Sequence, residues 1–344
     1  MAKVGMAKAG MAKVREKLWD YNAVIPGQAG TTTLVRLTEE NISEYAELSQ
    51  NPDPRYKLNG PGEDSGSPLV AMPTMVLSYA PLLRENIAEN NGFIALEDSI
   101  TARRQTPFAK CEIRCHRPAK AGDTITGTRR VMEKYERRGS KFVTFRVSAV
   151  NQLRQLVAEY DYTCIFEYVK GQKQTPKSKN GSSPKSPEPV APPVETPEPG
   201  LLSFDDISVG DRLATLTLGE SQEIINRKND FRLAGTPRES NIHTDEEFAK
   251  KNIFGGTVNS GPATMSYVDQ MLQLSFPLEA LCGGGSLLMR AIEPFRTTDV
   301  VTFGGEITDK RLEDDRQIIT CQVKGLNQRG DLVCLADATL VMPQ

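Results

Sequence analysis

The chain has 344 residues, of which 38% are hydrophobic and 25% charged, with 22 prolines and 27 glycines. At about 150 residues per domain this length suggests two domains, with enough apolar residues to build a core in each. A net charge of −2 argues against a dedicated nucleic-acid binder, and the lack of any apolar run of about 18 residues argues against a membrane-spanning helix.

The opening MAKVGMAKAGMAKVREKLWDY carries basic residues but no apolar segment and no cleavage-like site, so it does not read as a secretory signal. Cys111, Cys115, Cys164, Cys282, Cys321 and Cys334 are scattered and form no CxxC pair. This usage suits reduced thiols in a cytoplasmic protein better than a disulfide framework.

Residues 69–87 (LVAMPTMVLSYAPLLRENI) form the first apolar helical segment. Residues 141–150 (KFVTFRVSAV) then alternate apolar and polar side chains, the period of a half-buried strand. Asn151-Gln152 reads as a turn into a further strand at 156–168. The stretch 170–200 holds eight of the 22 prolines, is Lys-rich first and Glu/Pro-rich later, and reads as a disordered, partly polyproline linker. Beyond it come an apolar helical segment at 261–274, an alternating strand at 317–323, a turn at 327–330 and a last strand at 332–342. The expected organisation is a domain at 16–169, the linker at 170–200 and a second domain at 201–344.

The two flanks of the linker are related. With a shift of 176 residues, Pro118, Asp123 and Thr126 meet Pro294, Asp299 and Thr302. Asn151-Gln152 meets Asn327-Gln328, and Asp161 and Thr163 meet Asp337 and Thr339, all without a gap. The chain therefore reads as an internal duplication. One buried helix followed by antiparallel strands in each copy is an α+β arrangement, satisfied by a curved sheet wrapped around a long helix.

Histidine is the side chain best suited to proton transfer near neutral pH, and the chain has two. His116 ends the segment Cys111-Glu-Ile-Arg-Cys115-His116. Zinc would need a fourth ligand that no second cluster supplies, so no metal is expected. His243 follows a polar loop with Gly and Pro, and a helix start follows it, with Thr244 or Asp245 as N-cap. A His among carboxylates beside a helix N-terminus has the parts of an acid/base site, with a surface His beside a capping box as the alternative. Two other stretches read as structural. Gly283-Gly284-Gly285 lacks a phosphate-binding pattern and is taken as a loop. The basic group Arg129, Arg130, Lys134, Arg137, Arg138 and Lys141 reads as a solvated edge, with contact to the phosphates of a nucleotide carrier as the alternative.

The segments Ser240-Asn-Ile-His243-Thr-Asp245-Glu-Glu-Phe-Ala249 and Phe254-Gly-Gly-Thr-Val258 resemble the signature of the MaoC-like dehydratases, the (R)-specific enoyl-CoA hydratase group. Residues 115–123 and 135–139 resemble the dehydratase module often fused in front of it. The resemblance implies a double hot-dog fold and reversible addition of water to a 2-enoyl-CoA, with the CoA thioester as substrate and no further cofactor. It implies that His243 shares the water with a carboxylate, and that the Gly261 backbone N–H serves as oxyanion donor. The family's Asp position is occupied by Arg238, or by Thr236 when counted from the preceding Gly, so Glu239 is expected as the carboxylate, with Asp230 as second choice. Asp245 is expected to be a helix cap. The family's His before the oxyanion Gly is replaced by Ser260. The first half carries Asn51-Pro-Asp-Pro-Arg-Tyr56 where the motif would fall, and is expected to be a non-catalytic copy that shapes the pocket. A hot-dog thioesterase and an inactive acyl-CoA-binding subunit are the alternative functions. The expected partner is the acyl-CoA, with neither nucleic acid nor membrane, and with a homodimer as an option.

Overall fold

In the computed structural model of the chain, residues 16–58, 67–169 and 198–343 are described. Among them the first half holds β1 (Thr33–Arg36), β2 (Phe108–Cys115), β3 (Thr124–Arg137), β4 (Ser140–Val150) and β5 (Leu156–Glu167). The second half holds β6 (Leu216–Gly219), β7 (Ser286–Ala291), β8 (Val300–Glu313), β9 (Arg316–Asn327) and β10 (Leu332–Met342). The helices are α1 (Glu39–Leu48), α2 (Val76–Tyr79), α3 (Arg84–Asn90), α4 (Gln222–Asp230), α5 (Glu246–Lys250), α6 (Gly261–Gln273) and α7 (Leu278–Cys282). None of the helices is long and apolar enough to cross a membrane. The α+β class and the strands expected at 141–150, 156–168, 317–323 and 332–342 are all present. The expected linker lies, up to residue 197, outside the described residues.

The ten strands form one antiparallel sheet in the order β1-β3-β4-β5-β2-β7-β10-β9-β8-β6. The order reads the same from both ends when each strand is replaced by its duplicate. The duplication reaches fine detail. The β3–β4 ladder slips between Val131 and Glu133, and the β8–β9 ladder slips at the corresponding Ile307 and Asp309. Such a bulge bends its strand and increases twist, so both half-sheets curl at the same point. The shared Asp and Asn-Gln residues are turn locks. Gln152 Nε2 donates to Asp123 Oδ1 (3.0 Å) and Gln328 Nε2 to Asp299 Oδ1 (3.4 Å). Asn151 Oδ1 accepts from the N–H groups of Leu153 and Gln155, as Asn327 Oδ1 does from Arg329 and Asp331.

The halves join through β2 and β7. Cys111 pairs with Met289, Glu112 with Leu288 and Ile113 with Leu287, so the pseudo-twofold axis passes through Glu112 and Leu288. Each junction strand also carries an arginine paired to the neighbouring strand: Arg114 to Asp161 (3.0 Å) and Arg290 to Asp337 (2.7 Å). One apolar core runs beneath both halves, from Ile42 and Tyr79 through Ile113 and Leu287 to Phe303 and Leu340. A second cluster around Trp19, Phe145 and Phe166 closes the outer end of the first half. The six cysteines are free and buried.

The two helical segments differ. The second folds as expected: Ser260 caps α6 by accepting from Ala263 N (3.3 Å), and residues 263–272 are buried all round, as in a central core helix. The first, expected as one helix over 69–87, is broken. A short 3-10 turn at Pro73–Met75 leads to α2, the chain leaves helical geometry at Ala80, and α3 begins only after Leu83, whose φ is 46°. Pro81 causes the break, because it has no N–H to donate and its ring disfavours helical geometry in the residue before it. The carbonyls this frees are taken by other elements: Ala80 O accepts from Tyr160 Oη (2.7 Å) and Pro81 O from Arg129 Nε (2.9 Å).

The glycine run is a loop between α7 and β7, as expected. A Cβ on Gly285 would lie 2.6 Å from the Thr339 carbonyl, so the run lets α7 pack directly onto β10. The basic group is divided. Arg129 is buried, Lys134 donates to Tyr21 O (3.0 Å) and Lys141 pairs with Glu167 (2.8 Å), while Arg130, Arg137 and Arg138 are exposed.

Because the junction pairs whole strands and shares one core, a chain cut by protease within 171–197 should keep its halves associated. Size-exclusion chromatography of the nicked protein should give one species of unchanged volume, and separate half-size species would show that edge pairing does not hold the halves.

Candidate active site

His243 is placed by polar contacts made to its own backbone. The buried Asn241 accepts from His243 N (2.7 Å) and Thr244 N (3.2 Å) through Oδ1, and donates through Nδ2 to Asn229 Oδ1 (2.9 Å) on α4. Gln222, in the first turn of α4, donates to His243 O (2.7 Å). The ring is held as well, with Nδ1 2.8 Å from Val258 O. A carbonyl can only accept, so Nδ1 carries the proton and the neutral ring keeps its lone pair on Nε2. Burial lowers the imidazole below its ordinary 6.5, the Val258 carbonyl partly opposes this, and the Arg232 and Arg84 cations lower it further. His243 is therefore a neutral base at pH 7.

Two cavities, of about 290 and 280 Å³, meet at this ring, and His243, Asn259, Ser260 and Arg84 line both. The first is rich in cations, with Lys228, Arg232 and Arg238 around it and Glu85 among them. The second is largely apolar, walled by Phe108, Ile165, Phe254, Met289 and Phe295. Gly261 lines the second cavity at the first position of α6. Its N–H is one of those a helix start leaves without an intrahelical partner, and Pro262 beside it has none to offer. A Cβ on Gly261 would run into the Phe108 ring, which β2 of the first half brings against the helix start. The first half thus supplies Phe108 to the wall of the second cavity.

The carboxylates fall elsewhere than expected. Glu239 is exposed and lines neither cavity. Its loop is pinned from both sides: Arg103 donates to Ser240 Oγ (3.1 Å) and the Thr244 hydroxyl to Glu239 O (3.3 Å), so the chain does not fold back on His243. Asp230 ends α4, exposed, and accepts from Asn229 Nδ2 (3.3 Å). Asp245 is the N-cap of α5, accepting from Phe248 N (2.9 Å), as expected. Ser260 caps α6. His116 lies exposed at the end of β2 while Cys111 and Cys115 point into the core. His243 and Gly261 are thus the expected pair that the fold brings into one cavity.

Three residues at the site had no sequence signal. Arg84 opens α3, donates to Thr106 O (2.6 Å) and pairs with Glu97 (3.3 Å). Burial works against the Glu97 carboxylate, but the Arg84 cation and the hydrogen bond from Thr106 together hold it below the usual range. Glu220 and Lys228 form a pair at 3.4 Å behind the first cavity. Burial lowers the Lys228 ammonium to about 8 against the pull of Glu220. Each looks in sequence like an ordinary charged residue at a helix end or on a helix face.

Two outcomes follow from this geometry. The acid limb of kcat/KM should lie below pH 6.5, because the base form of His243 is lost only as pH falls through its lowered value; an inflection above 6.5 would exclude His243 as the base. Gly261→Ala must displace Phe108 or the helix start, and thermal or denaturant unfolding should show a loss of about 1–3 kcal/mol.

Residues 25–160 match the family model of the FAS1-like dehydratase domain region. No match among curated proteins accompanies it. A solved MaoC-like dehydratase is 18% identical and superposes with a TM-score of 0.65 over 92% of this chain and 99% of that one. A putative MaoC domain dehydratase from Chloroflexus aurantiacus is 16% identical, with a TM-score of 0.64 over 97% and 99%. A conserved hypothetical protein from Mycobacterium tuberculosis, described as a double hotdog fold, is 13% identical with a TM-score of 0.59 over 94% and 98%. The chain has the double hot-dog fold of the MaoC-like dehydratases, with a first half that matches the FAS1-like dehydratase region.

Proposed function

We propose that the chain adds water reversibly to the double bond of a 2-enoyl-CoA, giving a 3-hydroxyacyl-CoA, or runs the same reaction backward. The observation that carries this reading is the meeting of a neutral His243, its Nε2 lone pair free, with the first N–H of α6 in one largely apolar cavity. The fold and the match of the first half support a hydratase or dehydratase role in general.

The chemistry needs little more. Water attacks C3 as Nε2 of His243 takes its proton, and the π electrons move through C2 to the thioester oxygen. That oxygen, now enolate-like, is stabilised by the Gly261 N–H and the α6 dipole; one such donor contributes about 2.7–4 kcal/mol in comparable enzymes. The imidazolium then returns its proton to C2, and the ring is neutral again. In this scheme the apolar cavity takes the acyl group, and the cation-rich cavity takes the phosphate-bearing arm of CoA. Glu239, exposed on its pinned loop, has no part in it.

The test is loss of the enoyl absorbance when the protein is mixed with crotonyl-CoA and longer or branched enoyl-CoA esters. His243→Ala should lower kcat by about 10²–10⁴-fold, the scale for a positioned acid or base. Glu239→Gln should retain nearly full turnover. Release of free CoA thiol instead would identify a thioesterase, and tight binding of every ester without turnover would identify a binding subunit.

A further inference from the structure

Behind the helix start lies a polar network that the scheme above does not use. Glu220, just before the cap of α4, has a side chain with no solvent exposure. Its Oε2 accepts from Asn259 Nδ2 (2.6 Å) and from Tyr267 Oη (2.8 Å), and Lys228 Nζ lies 3.4 Å away. Its Oε1 is buried without a partner. On the far side of the same amide, Asn259 Oδ1 accepts from Ser260 N (2.9 Å), and Ser260 is the N-cap of α6. The first half reaches in too. Gln50, held at a φ of 55°, donates to Tyr267 Oη (2.9 Å) and to Gly219 O (3.2 Å).

We propose that Glu220 is a positioning residue for this reaction: through Asn259 it fixes the Ser260–Gly261 backbone, and with it the direction of the oxyanion-binding N–H. The physical grounds are cost and rigidity. A buried carboxylate is expensive unless several donors hold it, and an incompletely satisfied one destabilises the fold. Its arrangement is nonetheless specific, with one oxygen gathering donors from α4, α6 and the segment before α6. A short hydrogen bond to a charged acceptor is about twice as strong as a neutral one, so the Asn259 amide has one orientation open to it. That orientation presents Oδ1 to Ser260 N, one residue before Gly261, which lines the apolar cavity. An oxyanion donor acts only when aimed at the position the charge will occupy. The network also explains the need for both halves, since Gln50 secures the Tyr267 hydroxyl that shares the carboxylate oxygen.

This inference rests on the hydratase reading for its kinetic consequence but not for its structural one, and the test separates them. Glu220→Gln keeps the shape and removes the charge; Asn259→Ala removes the relay. Both should lower kcat on enoyl-CoA by up to about 10²–10³-fold, the scale of a lost oxyanion donor, with KM changed by less than about threefold. Glu220→Asp should recover less than the parent rate, because the shorter side chain does not reach Asn259. Amide hydrogen exchange, read at Ser260, Ala263 and Thr264, should quicken at least about tenfold in Glu220→Gln while exchange in β4 and β9 stays unchanged. If exchange at the helix start and kcat are both unchanged in Glu220→Gln although His243→Ala is inactive, the positioning role is wrong and the hydratase reading stands. If the parent turns over no thioester, the hydratase reading falls, and the exchange measurement alone decides whether Glu220 orders the helix start.

Discussion

The pairing of β2 with β7 is the constraint from which the other features follow. Strand edges expose unpaired N–H and C=O groups, and a five-stranded half-sheet would leave one such edge at Phe108–Cys115. Joining it to Ser286–Ala291 covers both edges at once and makes the two curled half-sheets continuous. The same pairing lets one core extend under both halves and sets Phe108, a β2 residue, against Gly261 at the start of α6. The cavity that holds His243 is therefore a product of the junction and not of either half.

The helices on the concave side are tied across the junction by buried polar contacts. Asp269 on α6 accepts from the N–H and hydroxyl of Thr74 (3.1 and 2.7 Å) and from Gln273 (2.8 Å), while Tyr56 donates to Gln273 (2.7 Å). Burial raises the Asp269 carboxyl, and its donors act against that rise. Contacts of this kind are directional, and leaving one unpartnered in a dry interface costs about 1–3 kcal/mol. They lock the register of the first half on α6, where apolar packing alone would tolerate sliding.

The asymmetry between the copies has a local origin. Pro262 sits at the second position of α6, where a missing N–H costs nothing, and the helix runs on unbroken. Pro81 falls after the short α2 and ends it, and the chain that follows turns Leu83 and Arg84 toward the first cavity. One copy thus keeps an intact helix with a usable N-terminus. The other spends the equivalent segment on walls and on a buried arginine.

Read alone, the sequence determined the repeated scaffold and the neighbourhood of the site. The gapless match at a shift of 176 residues predicted strands that correspond end for end, because strand alternation and turn-locking residues such as Asn151 and Asn327 act over a few neighbouring positions. The loop around His243, the capping role of Asp245 and the helix beginning at Gly261 were legible for the same reason. The tertiary structure alone decided where side chains from distant segments meet. Glu239, four residues from His243, stays in solvent because Arg103, from the other half, pins its loop at Ser240. Glu220, 23 residues from His243 in sequence, reaches the helix start because it directly follows β6, which packs against α6. Periodicity records which side of its own element a residue takes; which elements then face each other is set by sheet order and long-range packing.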